Sequence, residues 1–189
     1  ILKVFAFQFV NSFCSMFFIA FAKPRERCLM QHGKPNCLFE LYTQLTSLFV
    51  TKLAVGNFNE LFIPFVMRKI KEYKNRGEAE ESGREISPAE MQFLLKDYET
   101  KGLQCFDDYS EMAIQFGFVT LFVTSFPLAP VLALVNNYIE VRVDAFKLLH
   151  ECRRPEPKGA QDTGSWGVIM GLMSTASVVT NAALTCFTG

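Results

Sequence analysis

Long stretches without a charged side chain alternate with short charged ones along this chain. Residues 4–22, 112–139 and 163–189 contain no Asp, Glu, Lys or Arg. Runs of about 18 or more such residues read as membrane spans. The pattern predicts five helices, at about residues 1–22, 38–67, 107–126, 130–152 and 164–187. The first ends at Lys23-Pro24-Arg25. The second starts near Cys37 and runs past Lys52, Glu60 and Pro64 into the basic run Arg68-Lys69-Ile70-Lys71. At about 1.5 Å per residue it outlasts a bilayer, so its far end should project into water. The third and fourth helices are divided at Phe126-Pro127-Leu128-Ala129-Pro130, because proline lacks an amide donor and disfavours helix just before itself.

A polar linker of about residues 70–106 follows the second helix and is rich in Glu over 78–85. Within it, Ser87-Pro88-Ala89-Glu90 forms a capping box with proline at the first helical position. It predicts a short amphipathic helix through about Tyr98. No strand signal is present, so the expected fold class is an all-α membrane protein with five transmembrane helices.

Half of the 189 residues are hydrophobic, and a length of this order points to one domain. Formal net charge is zero, which removes general attraction to nucleic acid. Twenty phenylalanines against one tryptophan suit lipid-facing or bundle-packing helices. The chain opens on an apolar helix with no initiator Met and no signal-peptide cleavage site, and it is expected to be an internal piece of a larger membrane protein.

Basic residues set the orientation. The linker after the second helix and the loop at Arg153-Arg154 fall on one face, expected to be cytosolic; the loop with Cys28 and Cys37 falls on the other. Two readings stand for these cysteines, a disulfide formed on the oxidising side or separate thiols.

Five carboxylates lie in or at the ends of these helices: Glu60, the pair Asp108 and Glu111, and the pair Glu140 and Asp144. Acidic groups at membrane depth are costly and mark functional sites by default. Counted from the proline turn near Leu128, both pairs fall roughly 18–30 Å down their helices. Spacings of three and four place each pair on one helix face. Asn57 stands one turn before Glu60, and Asn136 one turn before Glu140. Carboxylate and amide oxygens suit hard cations such as Ca2+, and two divalent ions would balance the charge. Competing readings are snorkelling to the interface, pairing with Arg142, Lys147 or Arg153, and a proton or Na+ relay.

The run from Asp108 to Phe122 (DYSEMAIQFGFVTLF) resembles a signature of the anoctamins. So do the stretch at residues 126–130 (FPLAP), that at 136–145 (NNYIEVRVDA), Arg153-Arg154-Pro155, and upstream 37–41 (CLFEL) and 57–64 (NFNELFIP). The resemblance covers nearly the whole chain. It implies helices five to nine of a ten-helix, homodimeric fold that works as a Ca2+-activated anion channel, a Ca2+-activated phospholipid scramblase, or both. It further implies that Asn57, Glu60, Asp108, Glu111, Glu140 and Asp144 bind two Ca2+ ions from the cytosolic side, with Asn136 as an extra ligand. Two departures accompany it. Gly56 stands where the family often has the first of two asparagines, with a one-residue gap just upstream, and Thr51 takes the place of the glycine on which the gating helix pivots.

The function expected on these grounds is Ca2+-activated phospholipid scrambling and/or chloride conduction in the plasma membrane or an endomembrane. Partners would be membrane lipids, anions and a second subunit. Lys52 is a possible pore residue, with snorkelling or pairing as its other reading. Gln8, Asn11, Ser12 and Ser15 either hydrate a lipid groove or make interhelical hydrogen bonds. The alternative is a membrane tether without transport. An enzyme is not expected, since His32 and His150 are isolated and no Gly-rich phosphate loop is present.

Overall fold

The computed structural model describes residues 1–56, 87–93, 95–97, 106–154 and 159–188, with single positions between 58 and 73. The lower part of the second predicted helix, with Asn57 and Glu60, and most of the linker lie outside the described residues. The chain forms mostly helix: α1 (Leu2–Phe17), α2 (Cys37–Thr51), α3 (Pro88–Phe93), α4 (Phe106–Leu121), α5 (Ala129–Phe146) and α6 (Ser165–Thr188). Three of them widen into π turns at their ends, α1 over Phe18–Ala22, α2 over Lys52–Gly56 and α5 over Lys147–Glu151.

Two compact units are present, residues 1–50, 105–135 and 160–189 in one, residues 51–104 and 136–159 in the other. The first has an aromatic core. On α1, Phe5, Phe9, Phe13 and Phe17 repeat every four residues and so form one stripe. The Phe13 ring lies 4.6 Å from Phe9 and 4.7 Å from Phe118 of α4, and Phe17 lies 5.4 Å from Phe122. On α2, Leu41, Leu45 and Phe49 bury the same kind of stripe, and Tyr42 meets Phe126 edge-to-face at 5.1 Å. Gly117 of α4 is the point of closest approach: a Cβ there would stand 2.5 Å from Phe13 Cζ and nearer still to Met173 Cε of α6.

The opposite faces are also apolar. Phe7 and Val10 of α1 and Val168, Leu172, Val178 and Val179 of α6 are exposed. A helix hydrophobic on all sides belongs in a membrane or in a large core. Leu2–Ala22 and Ser165–Cys186 are long and apolar enough to cross a membrane.

The third predicted helix stops at Leu121, five residues early. Asn181 of α6 marks the break. Its Nδ2 donates to the Thr120 carbonyl at 2.7 Å, while its Oδ1 accepts from the Thr124 amide at 3.2 Å and hydroxyl at 3.1 Å. In an unbroken helix the Thr124 amide would donate to the Thr120 carbonyl, so the Asn181 amide is spliced into that missing rung.

Cys28 and Cys37 form a disulfide, which decides between the two readings of these residues. Between them is a hairpin that the sequence reading did not foresee, β1 (Met30–Gln31) against β2 (Lys34–Pro35). Its two turn residues, His32 and Gly33, both have positive φ, 48° and 79°, as a type I′ turn requires. Asn36 caps α2, its Oδ1 accepting from the amides of Leu38 and Phe39. Glu40 pairs with Lys23 and accepts from the Leu29 amide at 3.1 Å. The loop therefore binds the end of α1 to the start of α2.

In the second unit the Glu90 amide donates to Ser87 Oγ at 3.2 Å, as the capping box predicts. The helix it starts ends at Phe93 rather than near Tyr98. Beyond it, β3 (Lys96–Asp97) pairs in parallel with β4 (Cys152–Arg153), the second departure from an all-helical expectation. A parallel pair between segments so distant leaves no local signal.

Candidate functional site

On α4, Asp108 stands in the first turn and Glu111 one turn on, both half-buried. The helix N-terminus carries partial positive charge, which favours Asp107 and Asp108 there and favours Glu111 less. Ser110, between them and only 5% exposed, donates to Gln8 Oε1 of α1 at 3.0 Å. For Gln8 the interhelical reading therefore holds. Gln115, one turn beyond Glu111, is 3% exposed and adds a further amide to this face. The sequence reading passed over it; its spacing of four from Glu111 was the available signal.

On α5, Asn136 is 1% exposed and Glu140 6%, one turn apart, with Asp144 half-buried a further turn on. The i, i+4, i+8 spacing aligns all three on one face, and Val143 is buried beside them. Of the basic residues considered as partners, Lys147 lies 3.6 Å from Asp144. Arg142 instead folds over the Tyr138 ring at 3.8 Å and donates to its hydroxyl at 2.7 Å on the exposed face. Arg153 donates to the Phe93 carbonyl at 2.7 Å.

A carboxylate as buried as Glu140 is costly when charged unless a cation or several donors compensate it. Buried carboxylate and amide oxygens, with no sulfur or imidazole among them, form a donor set that fits Ca2+. Among the described residues, no group of three or more His, Cys, Asp or Glu side chains is gathered closely enough to hold a metal ion. Asp108 and Glu111 belong to the first unit, and Asn136, Glu140 and Asp144 to the second. Asn57 and Glu60 lie outside the described residues. Lys52 opens the π turn of α2 and is half-buried.

The family model described as "Anoctamin: Calcium-activated chloride channel" matches residues 1–189. Mouse Anoctamin-5 is 40% identical over 99% of this chain, and human Anoctamin-7 is 37% identical over 98%. Cattle Anoctamin-4 is 38% identical over 99% of the chain. The chain spans about a fifth of the length of these curated relatives, 22%, 21% and 22% in turn. Matched from its first residue to its last, it belongs to the anoctamin family, whose members are membrane proteins.

Proposed function

We propose that this chain carries the ligand-bearing helices of a Ca2+-activated transporter that scrambles phospholipids, conducts chloride or other anions, or does both. The observation that carries this reading is the buried pair Asn136 and Glu140, aligned with Asp144 on α5. It is supported by the second acidic pair, Asp108 and Glu111 on α4, and by the calcium activation in the family's description. On this reading α1, α2, α4, α5 and α6 are spans five to nine of a ten-helix subunit within a homodimer. The Cys28–Cys37 loop then faces the lumen or the outside, and α3 the cytosol.

The proposed ligands are Asn57, Glu60, Asp108, Glu111, Glu140 and Asp144, with Asn136 as an extra one. Two bound Ca2+ ions would supply the positive charge that offsets repulsion among the carboxylates. Without that charge, the Glu60 carboxylate repels those of α4 and α5 and holds the lower part of its own helix away from them. With it, the helix of Glu60 is drawn toward the two acidic helices, and one of two helix arrangements is selected. The path opened runs along α1 and α2. Lys52 at the π turn favours anions in that path, and the neutral Asn11, Ser12 and Ser15 of α1 favour lipid headgroups.

The test is lipid scrambling and anion flux, measured in parallel for the full-length protein in liposomes over a Ca2+ series. Glu140→Gln removes one ligand charge and is expected to raise the half-activating Ca2+ by roughly tenfold or more. Equal Ca2+ dependence in wild type and variant would sink the site. Folded protein without any transport would turn the reading to a membrane tether.

A further inference from the structure

The proposed site leaves unused a polar arrangement among the described residues of the second unit, at the end of α5. Lys96 and Asp97 lie beside Cys152 and Arg153 in a parallel pair. Arg153 Nη2 donates to the Phe93 carbonyl at 2.7 Å, the carbonyl at the end of α3, and the guanidinium stands 4.5 Å from the Phe93 ring centroid. Cys152 is buried in the same place. One arginine thus closes the last turn of α3, stacks on its last aromatic ring, and sits in the strand pair that follows. A cation over an aromatic face and a charge-assisted bond to a carbonyl both favour a planar, delocalised guanidinium.

Covalent connectivity gives this latch its meaning. α3 lies on the chain between Glu60 and the helix of Asp108, whereas Arg153 closes the helix of Glu140 and Asp144. Asp144 is followed at once by the last residues of α5 and the π turn Lys147–Glu151, which leads directly into Cys152. Helix ends fray unless their carbonyls are held. A clamp at 152–153 therefore limits fraying of the turns on which Asp144 depends.

We infer that Arg153 is a positioning residue: it latches the segment Phe93–Asp97 to the end of α5, and so couples that segment to cation occupancy at Glu140 and Asp144. The inference rests on the proposed Ca2+ site. Coupling is reciprocal. If the latch favours occupancy by some factor, occupancy favours the latch by the same factor.

Two measurements on the full-length protein test it. Lys96→Cys places a thiol opposite native Cys152, its Cα partner in the strand pair, and oxidation by copper phenanthroline reads latch closure, with Cys152→Ser as the control. Cross-linking is expected to accelerate several-fold between chelator and saturating Ca2+, and to lose that response when Arg153→Ala is added. Separately, Arg153→Ala is expected to raise the half-activating Ca2+ by roughly fivefold, the low end of common coupling factors. Maximal transport at saturating Ca2+ should be kept, and Arg153→Lys should recover only part of the loss. A merely structural arginine would lower the maximum and leave the half-activating Ca2+ alone. A cross-linking rate indifferent to Ca2+ overturns the inference whatever transport does. Transport indifferent to Ca2+ alongside Ca2+-sensitive cross-linking overturns the transport reading and leaves the latch standing.

Discussion

Gly117→Ala is the most decisive single test of the packing. The added methyl would stand 2.5 Å from Phe13 Cζ and 3.1 Å from Cε1, with Met173 Cε nearer still. Carbon atoms settle at about 3.5–4.0 Å, so each neighbour must yield by roughly 1 Å. The two differ in how they can yield. Met173 is unbranched, and its terminal methyl can swing aside at little cost. Phe13 is fully buried, with rings 4.6 Å and 4.7 Å away on two sides, and has nowhere to go. Overpacking of this kind costs about 1–3 kcal/mol. Alanine's better helix propensity returns up to about 1 kcal/mol. The net expectation is a loss of about 1–2 kcal/mol, or roughly 5- to 30-fold in the folded-to-unfolded ratio. Thermal unfolding of the full-length protein in detergent should show it as a lower midpoint. Adding Phe13→Leu should restore most of the loss, and Met173→Ala little of it, each measured as a double-mutant cycle. A Gly117→Ala protein as stable as wild type would refute the argument. Full rescue by Met173→Ala alone would refute the assignment of Phe13 as the rigid wall.

Asn181→Leu should cost about 1–3 kcal/mol by leaving the Thr120 carbonyl and Thr124 amide without the amide that bridges them. Hydrogen exchange at the Thr124 amide should quicken more than at residues 113–117, and uniform exchange along α4 would contradict the splice. Replacing Cys28 and Cys37 together by serine should destabilise the loop by about 2–3 kcal/mol, as expected for a closed loop of this size. The wild-type protein should resist alkylation at both positions until reduced, and free labelling beforehand would show that the bridge is not formed.

The sequence reading reached furthest where periodicity and chemistry agreed. The uncharged run in α1, the prolines at 127 and 130, and the uncharged run in α6 each announce a feature of the helical pattern that the structure shows. The spacing of Asn136, Glu140 and Asp144 likewise announced a common face, because helical geometry alone decides it. What stayed hidden depends on distant partners. The stop at Leu121 is made by Asn181, sixty residues away along the chain, while the prolines only forbid helix later on. His32-Gly33 escaped notice because Asn or Asp before Gly is the usual signal of such a turn. Arg153 read as one more basic loop residue, since nothing local marks the Phe93 carbonyl as its partner.

The tie between α1 and α2 has a mechanical consequence. A disulfide and the Lys23–Glu40 ion pair join the end of α1 to the start of α2. Leu41, Leu45 and Phe49 then hold the rest of α2 in the core. From Cys37 to Phe49 is about 18 Å of helix at 1.5 Å per residue, anchored at both ends. Strain in the loop is therefore carried along α2 as along a rod, and it is first relieved past Phe49, where the helix widens into its π turn.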